Sequence, residues 1–163
     1  MKNKLAVVST ILLFIGCAQP VDQTPILNTR IDSLEKKLAE TYKPGLGEFM
    51  SSIQVHHAKL WFAGTNENWK LADFEINEIK ESIDDIMKFQ SERKETEQLH
   101  IVNPALDSIT ISIQLKNEAK FKSGFVFLTK TCNNCHQSTD HGFNMIKIPD
   151  APPFSNQSFK EEK

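Results

Sequence analysis

The chain lacks several features that would have assigned it to a class at once. No apolar run is long enough to cross a bilayer as a helix, since the longest, Leu5 to Ile15, stops well short of the roughly 20 residues required. There is no basic excess: 19 Lys and Arg stand against 21 Asp and Glu, so the chain offers no field to nucleic acid. Cysteine is scarce, with three residues in all, too few for a fold knitted by disulfides. Strand patterns are nearly absent. Only Ile109, Ile111 and Ile113 alternate with polar residues, and a lone strand has no partner, so this segment reads as helix. Nor is there a general acid or base constellation, and no enzyme is expected.

The N-terminus carries an address. Met1-Lys2-Asn3-Lys4, the apolar run to Ile15 and Gly16-Cys17 form a basic segment, a short apolar segment and a small residue before a cut. Phe14-Ile15-Gly16-Cys17 resembles a bacterial lipobox, which implies acylation of Cys17 and attachment to a bacterial membrane on the periplasmic or outer-surface side. The expected organisation is a signal peptide over 1–16, a polar, proline-broken tether over 17–25, a helical domain over 26–140 and an irregular proline-rich tail over 141–163. Cleavage removes Lys2 and Lys4 but no acid, so membrane attachment comes from the lipid rather than from charge.

The remaining cysteines belong to Cys132-Asn133-Asn134-Cys135-His136, a C-x-x-C-H. Two thiols three residues apart lie on one side of a helical turn and can add to the two vinyl groups of a porphyrin. The histidine that follows is held under the ring, where its imidazole can bind iron. On these five residues the chain resembles c-type cytochromes, which implies one covalent haem c with His136 as proximal ligand. Two other chemistries use such a motif. A redox-active C-x-x-C goes with a strand-helix-strand pattern that is missing here. Zinc on Cys132, Cys135 and His141 would need a further ligand, and structural zinc sites commonly come with a second ligand pair.

Apolar residues recur at helical spacing in four stretches. Leu27, Ile31, Leu34 and Leu38 form the first. Leu46, Phe49, Ile53, His57 and Leu60 form the second, with Gly64 expected to stop that helix. Trp69, Ala72, Ile76, Ile79, Ile83 and Ile86 form the third. The fourth opens at Asn103-Pro104, with Asn as cap, and runs as one helix through Leu106, Ile109, Ile113, Phe121, Phe125, Leu128, Cys132 and Cys135. Gly124, inside it, leaves room for a close helix crossing or for a porphyrin edge. The expected fold is all-α, an antiparallel up-down-up-down four-helix bundle with haem at one end and an irregular C-terminal tail.

A C-x-x-C-H at the end of the last helix of such a bundle resembles the cytochrome c-prime family over about residues 26 to 137. That resemblance implies a haem lodged between helices at one end. With helix four parallel to helix two, His56, His57, Trp61, Phe62 and Trp69 are expected at the haem end. His57 is the leading candidate for the sixth iron position, with His56 and Trp61 as pocket neighbours. Met145, His141 and His100 are weaker candidates, and Met50, two turns from His57, is judged too deep. In the c-prime family the position facing the iron is usually apolar.

The functional expectation is a lipid-anchored, mono-haem electron carrier that serves redox partner proteins. The alternatives are a five-coordinate, c-prime-like haem protein that binds nitric oxide or carbon monoxide, and a haem subunit of a larger membrane redox complex. The state of the sixth position separates them. An amphipathic strip on helix one or two leaves a homodimer open.

Overall fold

A computed structural model describes residues 22–41 and 44–162, so the signal peptide and Cys17 lie outside the described residues. The fold is all-α, with no strand among the described residues. Its helices are α1 (Thr24–Ala39), α2 (Leu46–Thr65), α3 (Trp69–Phe89), α4 (Lys94–Gln98), α5 (Asn103–Gln114) and α6 (Glu118–Ser138), and a 3₁₀ turn over Leu99–Val102 links α4 to α5. The segment Ile109 to Ile113, read as helix despite its alternation, is helical. Ile109 and Ile113 are buried in it, and Ile111 faces solvent. No described helix is long and apolar enough to cross a membrane.

The described residues divide into two compact units, one within Met1–Tyr42 and the other within Lys43–Lys163. In the first, α1 forms where its spacing predicts, but Leu27, Ile31, Leu34 and Leu38 are all at least half exposed. The hydrophobic core belongs to the second unit and draws every member from residue 46 onward. There α2 packs on α3, α3 on α5, α5 on α6 and α6 back on α2. The stripe read from sequence for the third helix holds throughout. Ala72, Ile76, Ile79, Ile83 and Ile86 are buried, and Asn68 caps the helix through its side chain on the Leu71 amide.

The expected single fourth helix is two. The chain leaves α5 at Leu115, turns through Lys116 at φ 49° and re-enters helix behind Asn117, whose side chain accepts from the Lys120 amide. Asn117 N–H donates to the Ser112 carbonyl and Lys116 N–H to the Ile113 carbonyl, the paired bonds that close a helix end. The stripe continues across the break because Leu106 to Ile113 and Phe121 to Cys135 each bury one face, so apolar spacing alone does not reveal the reversal. Asn103 is likewise already helical, with Pro104 in the first turn behind Val102 rather than behind an Asn cap.

Gly64 does not stop α2. The helix runs on to Thr65, and the stop is made by Glu67 at φ 55°, with Asn68 N–H on the Ala63 carbonyl and Glu67 N–H on the Gly64 carbonyl. Gly64 serves packing instead, because the Phe121 ring occupies the space a side chain would take. Gly124 has a parallel role where α6 crosses α5, against Ser108 and Ile109.

The tail after α6 is irregular, as expected, but it is folded onto the unit. Asn133 holds Ile146 by two hydrogen bonds, Lys59 sits over the Phe154 ring, and Phe159 is buried against Phe62. The tail thus runs back along α2 from its start towards its end.

Candidate functional site

Three contacts fix how α6 lies on α2. Gly64 meets Phe121, Trp61 meets Phe125 at 4.9 Å between ring centroids, and His57 Nε2 lies 2.9 Å from Thr129 Oγ1. As α2 is followed backwards, α6 runs forwards, so the two helices are antiparallel. Because the break at Lys116 reverses α6, the C-x-x-C-H lies beside the beginning of α2, at the opposite end from Trp61, Phe62 and Trp69. The expectation that those three aromatics crowd the motif is therefore corrected. Trp61 packs instead on Phe121 and Phe125.

Beside the motif is a cavity of about 450 Å³, within the range of cofactor sites. Cys132, Cys135 and His136 of α6 line it, facing Leu46, Met50 and Ile53 of α2 and Ile79 and Ile83 of α3. Leu99 and Val102 of the 3₁₀ turn, both buried, line it too. Arg93, Glu95 and His141 add polar groups to the lining. The Arg93 guanidinium contacts Glu95 through two nitrogens, at 3.0 and 3.3 Å, and holds that carboxyl below the usual range. The sequence reading singled out neither residue; no spacing rule marks them.

His136 is set for metal chemistry. Its Nδ1 lies 2.5 Å from the Asn144 carbonyl, which can only accept, so Nδ1 carries the proton and Nε2 keeps its lone pair. The last turn of α6 positions it: Asp140 adopts φ 65°, and the His141 amide donates to the His136 carbonyl at 2.7 Å. The bend then brings Asn144 back over the imidazole. A carbonyl on the second ring nitrogen is the usual partner of a metal-bound histidine.

Cys132 and Cys135 are unpaired thiols. Burial pushes Cys132 up to about 11, with Cys135 adding to it, and burial with Glu95 raises Cys135. The motif also sits in the last turns of its helix, at the negative end of the dipole. Reactive C-x-x-C thiols have the reverse, a lowered pKa, helped by a helix N-terminus. The arrangement therefore disfavours the redox-disulfide alternative. For the zinc alternative, no group of three or more His, Cys, Asp or Glu among the described residues is placed to hold a metal ion.

The histidines divide. His57 is buried and lines the cavity, its ring centroid 4.4 Å from that of Phe125 and tilted 36° to it. Thr129 gives its one hydroxyl proton to the Phe125 carbonyl, so it must accept from His57 Nε2–H. Nε2 is thus spent, and desolvation by burial holds His57 down to about 4 and neutral. His56, expected as a pocket neighbour, does not line the cavity. It turns to Glu75 at 2.6 Å, a fully buried carboxylate that Lys59 also approaches. Glu75 thus ties α3 to α2. His100 bonds its own turn at the Glu97 carbonyl. Met145 is exposed and off the cavity, whereas Met50, judged too deep, lines it.

The residues fit a covalent haem: two thiols and a histidine with a free Nε2 open on one apolar cavity of suitable volume, with cationic Arg93 in its lining. Compared with known protein families, with curated proteins and with solved structures, the chain matches none.

Proposed function

We propose that the protein is a mono-haem c-type cytochrome, an electron carrier held at a bacterial membrane by a lipid on Cys17 and built as a four-helix bundle of α2, α3, α5 and α6. The observation that carries the reading is the opening of Cys132, Cys135 and His136 onto one apolar cavity, with His136 Nδ1 tied to the Asn144 carbonyl. A haem bound there would supply one-electron iron chemistry. Cys132 and Cys135 would hold it by thioethers, each S–H adding across a vinyl double bond. His136 would offer Nε2, with the Asn144 carbonyl fixing its tautomer and raising its basicity. Ile53, Ile79, Ile83, Leu99 and Val102 would exclude water from the ring, which limits reorganisation and tunes the potential. Arg93 would offer its guanidinium to a propionate.

The test is expression in a host with haem-attachment machinery, followed by haem staining of a denaturing gel. The full chain should keep its colour under denaturation, and the Cys132→Ser, Cys135→Ser double variant should lose it. A colourless wild-type band would overturn the reading.

A five-coordinate haem that takes nitric oxide or carbon monoxide is the second reading, favoured by the apolar residues Ile53, Ile79 and Ile83 on the cavity walls. A high-spin ferrous spectrum that sharpens on adding carbon monoxide would select it.

A further inference from the structure

We propose that Met50 is the protein ligand opposite His136, so that the iron is held between a thioether of α2 and an imidazole of α6. This rests on the haem reading and adds the coordination to it.

The pairing of α2 with α6 sets which side chains lie at one level. Trp61 with Phe125 and His57 with Thr129 show that four residues back along α2 are matched by four forward along α6, with Gly64 and Phe121 one residue out of that register. From the His57–Thr129 pair, seven residues make about two turns, a rise of roughly 10 Å with the face restored. Seven back along α2 is Met50, and seven forward along α6 is His136. The two side chains are therefore level, on helices that pack together, and both line the one cavity. Met50 is half-buried and packed against the core, in a helix whose start is fixed by the Glu48 carboxylate on the Gly45 amide. Its sulfur is a soft donor suited to haem iron, and methionine opposite histidine raises the potential.

The competing donors are engaged or lie elsewhere. His57 donates from Nε2 to Thr129, two turns away from the level of His136. His141 also donates from Nδ1 to a carbonyl, that of Thr139, and so keeps Nε2, but its amide is bonded to the His136 carbonyl, which puts it on the wall that His136 occupies, with Nε2 4.0 Å from Glu95 Oε1. Met145 is outside the cavity.

The test uses holoprotein whose haem has been shown to be covalent by gel staining, so failure of the haem reading is seen first and separately. The wild type should be low-spin in both oxidation states and should show, when ferric, the weak red charge-transfer band of a thioether on iron. Met50→Leu, which keeps the volume and removes the sulfur, should lose that band, become high-spin and take up carbon monoxide. Met50→His should restore a low-spin spectrum at a lower potential. Met145→Leu should change nothing. A stained, folded wild type without the charge-transfer band, or a Met50→Leu protein that retains it, would overturn the assignment. So would loss of the band in His57→Gln with Met50 intact.

Discussion

Gly64 lies directly beneath the ring of Phe121: a methyl carbon on Gly64 would fall 2.1 Å from Phe121 Cζ and 2.6 Å from Cε2. Phe121 cannot move aside freely, since it is fully buried with Trp61 and Trp69 against it. Gly64→Ala should therefore destabilise by about 1–3 kcal/mol through overpacking, more than the roughly 1 kcal/mol that alanine returns as helix propensity. Gly124→Ala is the control. Its methyl would meet the side-chain atoms Ser108 Oγ at 3.1 Å and Ile109 Cδ1 at 3.3 Å, so a shift of tenths of an ångström suffices. Denaturant midpoints should fall clearly for the first variant and little for the second. Equal losses would mean that Phe121 has room to move.

His57 makes acid stability a local property. Burial depresses its folded value from 6.5 to about 4, so below pH 6.5 the unfolded chain takes up a proton that the folded chain refuses. The contribution is whole above the unfolded value and is lost as pH falls from 6.5 towards 4. At about 1.4 kcal/mol per unit the full loss is on the order of 3 kcal/mol. Denaturant unfolding at pH 7.5 and at about pH 4.5 should show this loss in the wild type and a smaller one in His57→Gln, which keeps a donor for Thr129. An equal loss in both would place the acid sensitivity elsewhere.

Among the described residues, three helix ends are held by left-handed residues other than glycine: Glu67, Lys116 and Asp140. Each costs about 1 kcal/mol or more relative to glycine. Lys116→Gly should accordingly raise stability by about 1 kcal/mol, read as a higher melting temperature with an unchanged far-ultraviolet spectrum. Asp140→Gly should gain less, because Asp140 also pairs with Lys94. A Lys116→Gly protein no more stable than wild type would show that the turn is not strained.

Those same three residues mark the limit of what the sequence could reveal. The stripes were legible because burial of one helix face imposes a 3.6-residue period, and α3 shows it from Ala72 to Ile86. The C-x-x-C-H was legible as a candidate site because the haem attachment proposed for it would need those residue types at that spacing. The reversal at Leu115 to Asn117 was not, since Lys116 carries no turn chemistry that a reader would expect and the apolar period runs through the break. Missing that one turn reverses α6 and sends the motif to the wrong end of α2. Trp61 and Trp69 were placed at the site for this reason, and Met50 was set aside. Gly64 misled in the opposite sense, because a glycine near a helix end is read as a stop, whereas this one is set by an aromatic ring from another helix. Asn144 left no signal, since it acts through its backbone carbonyl.

Asn133, one of the two residues between the cysteines, has a task that the motif does not demand. Its amide donates to the Ile146 carbonyl and accepts from the Ile146 amide, both at 2.8 Å. That pair clamps the strap carrying Asn144, whose carbonyl holds His136 Nδ1. Asn133→Ala removes two hydrogen bonds, for a loss of about 1–3 kcal/mol in unfolding free energy. On the proposed haem reading the effect should reach the iron through His136. An imidazole that donates less firmly from Nδ1 is a weaker base at Nε2 and supports the ferric state less well, so the reduction potential of the holoprotein should rise. Asn134, which is exposed, supplies the control, and Asn134→Ala should leave both quantities unchanged. Spectroelectrochemical titration beside denaturant unfolding separates the two effects. A lower stability with an unmoved potential would make Asn133 a fold contact alone, whereas a raised potential would make the strap a tuning element for His136.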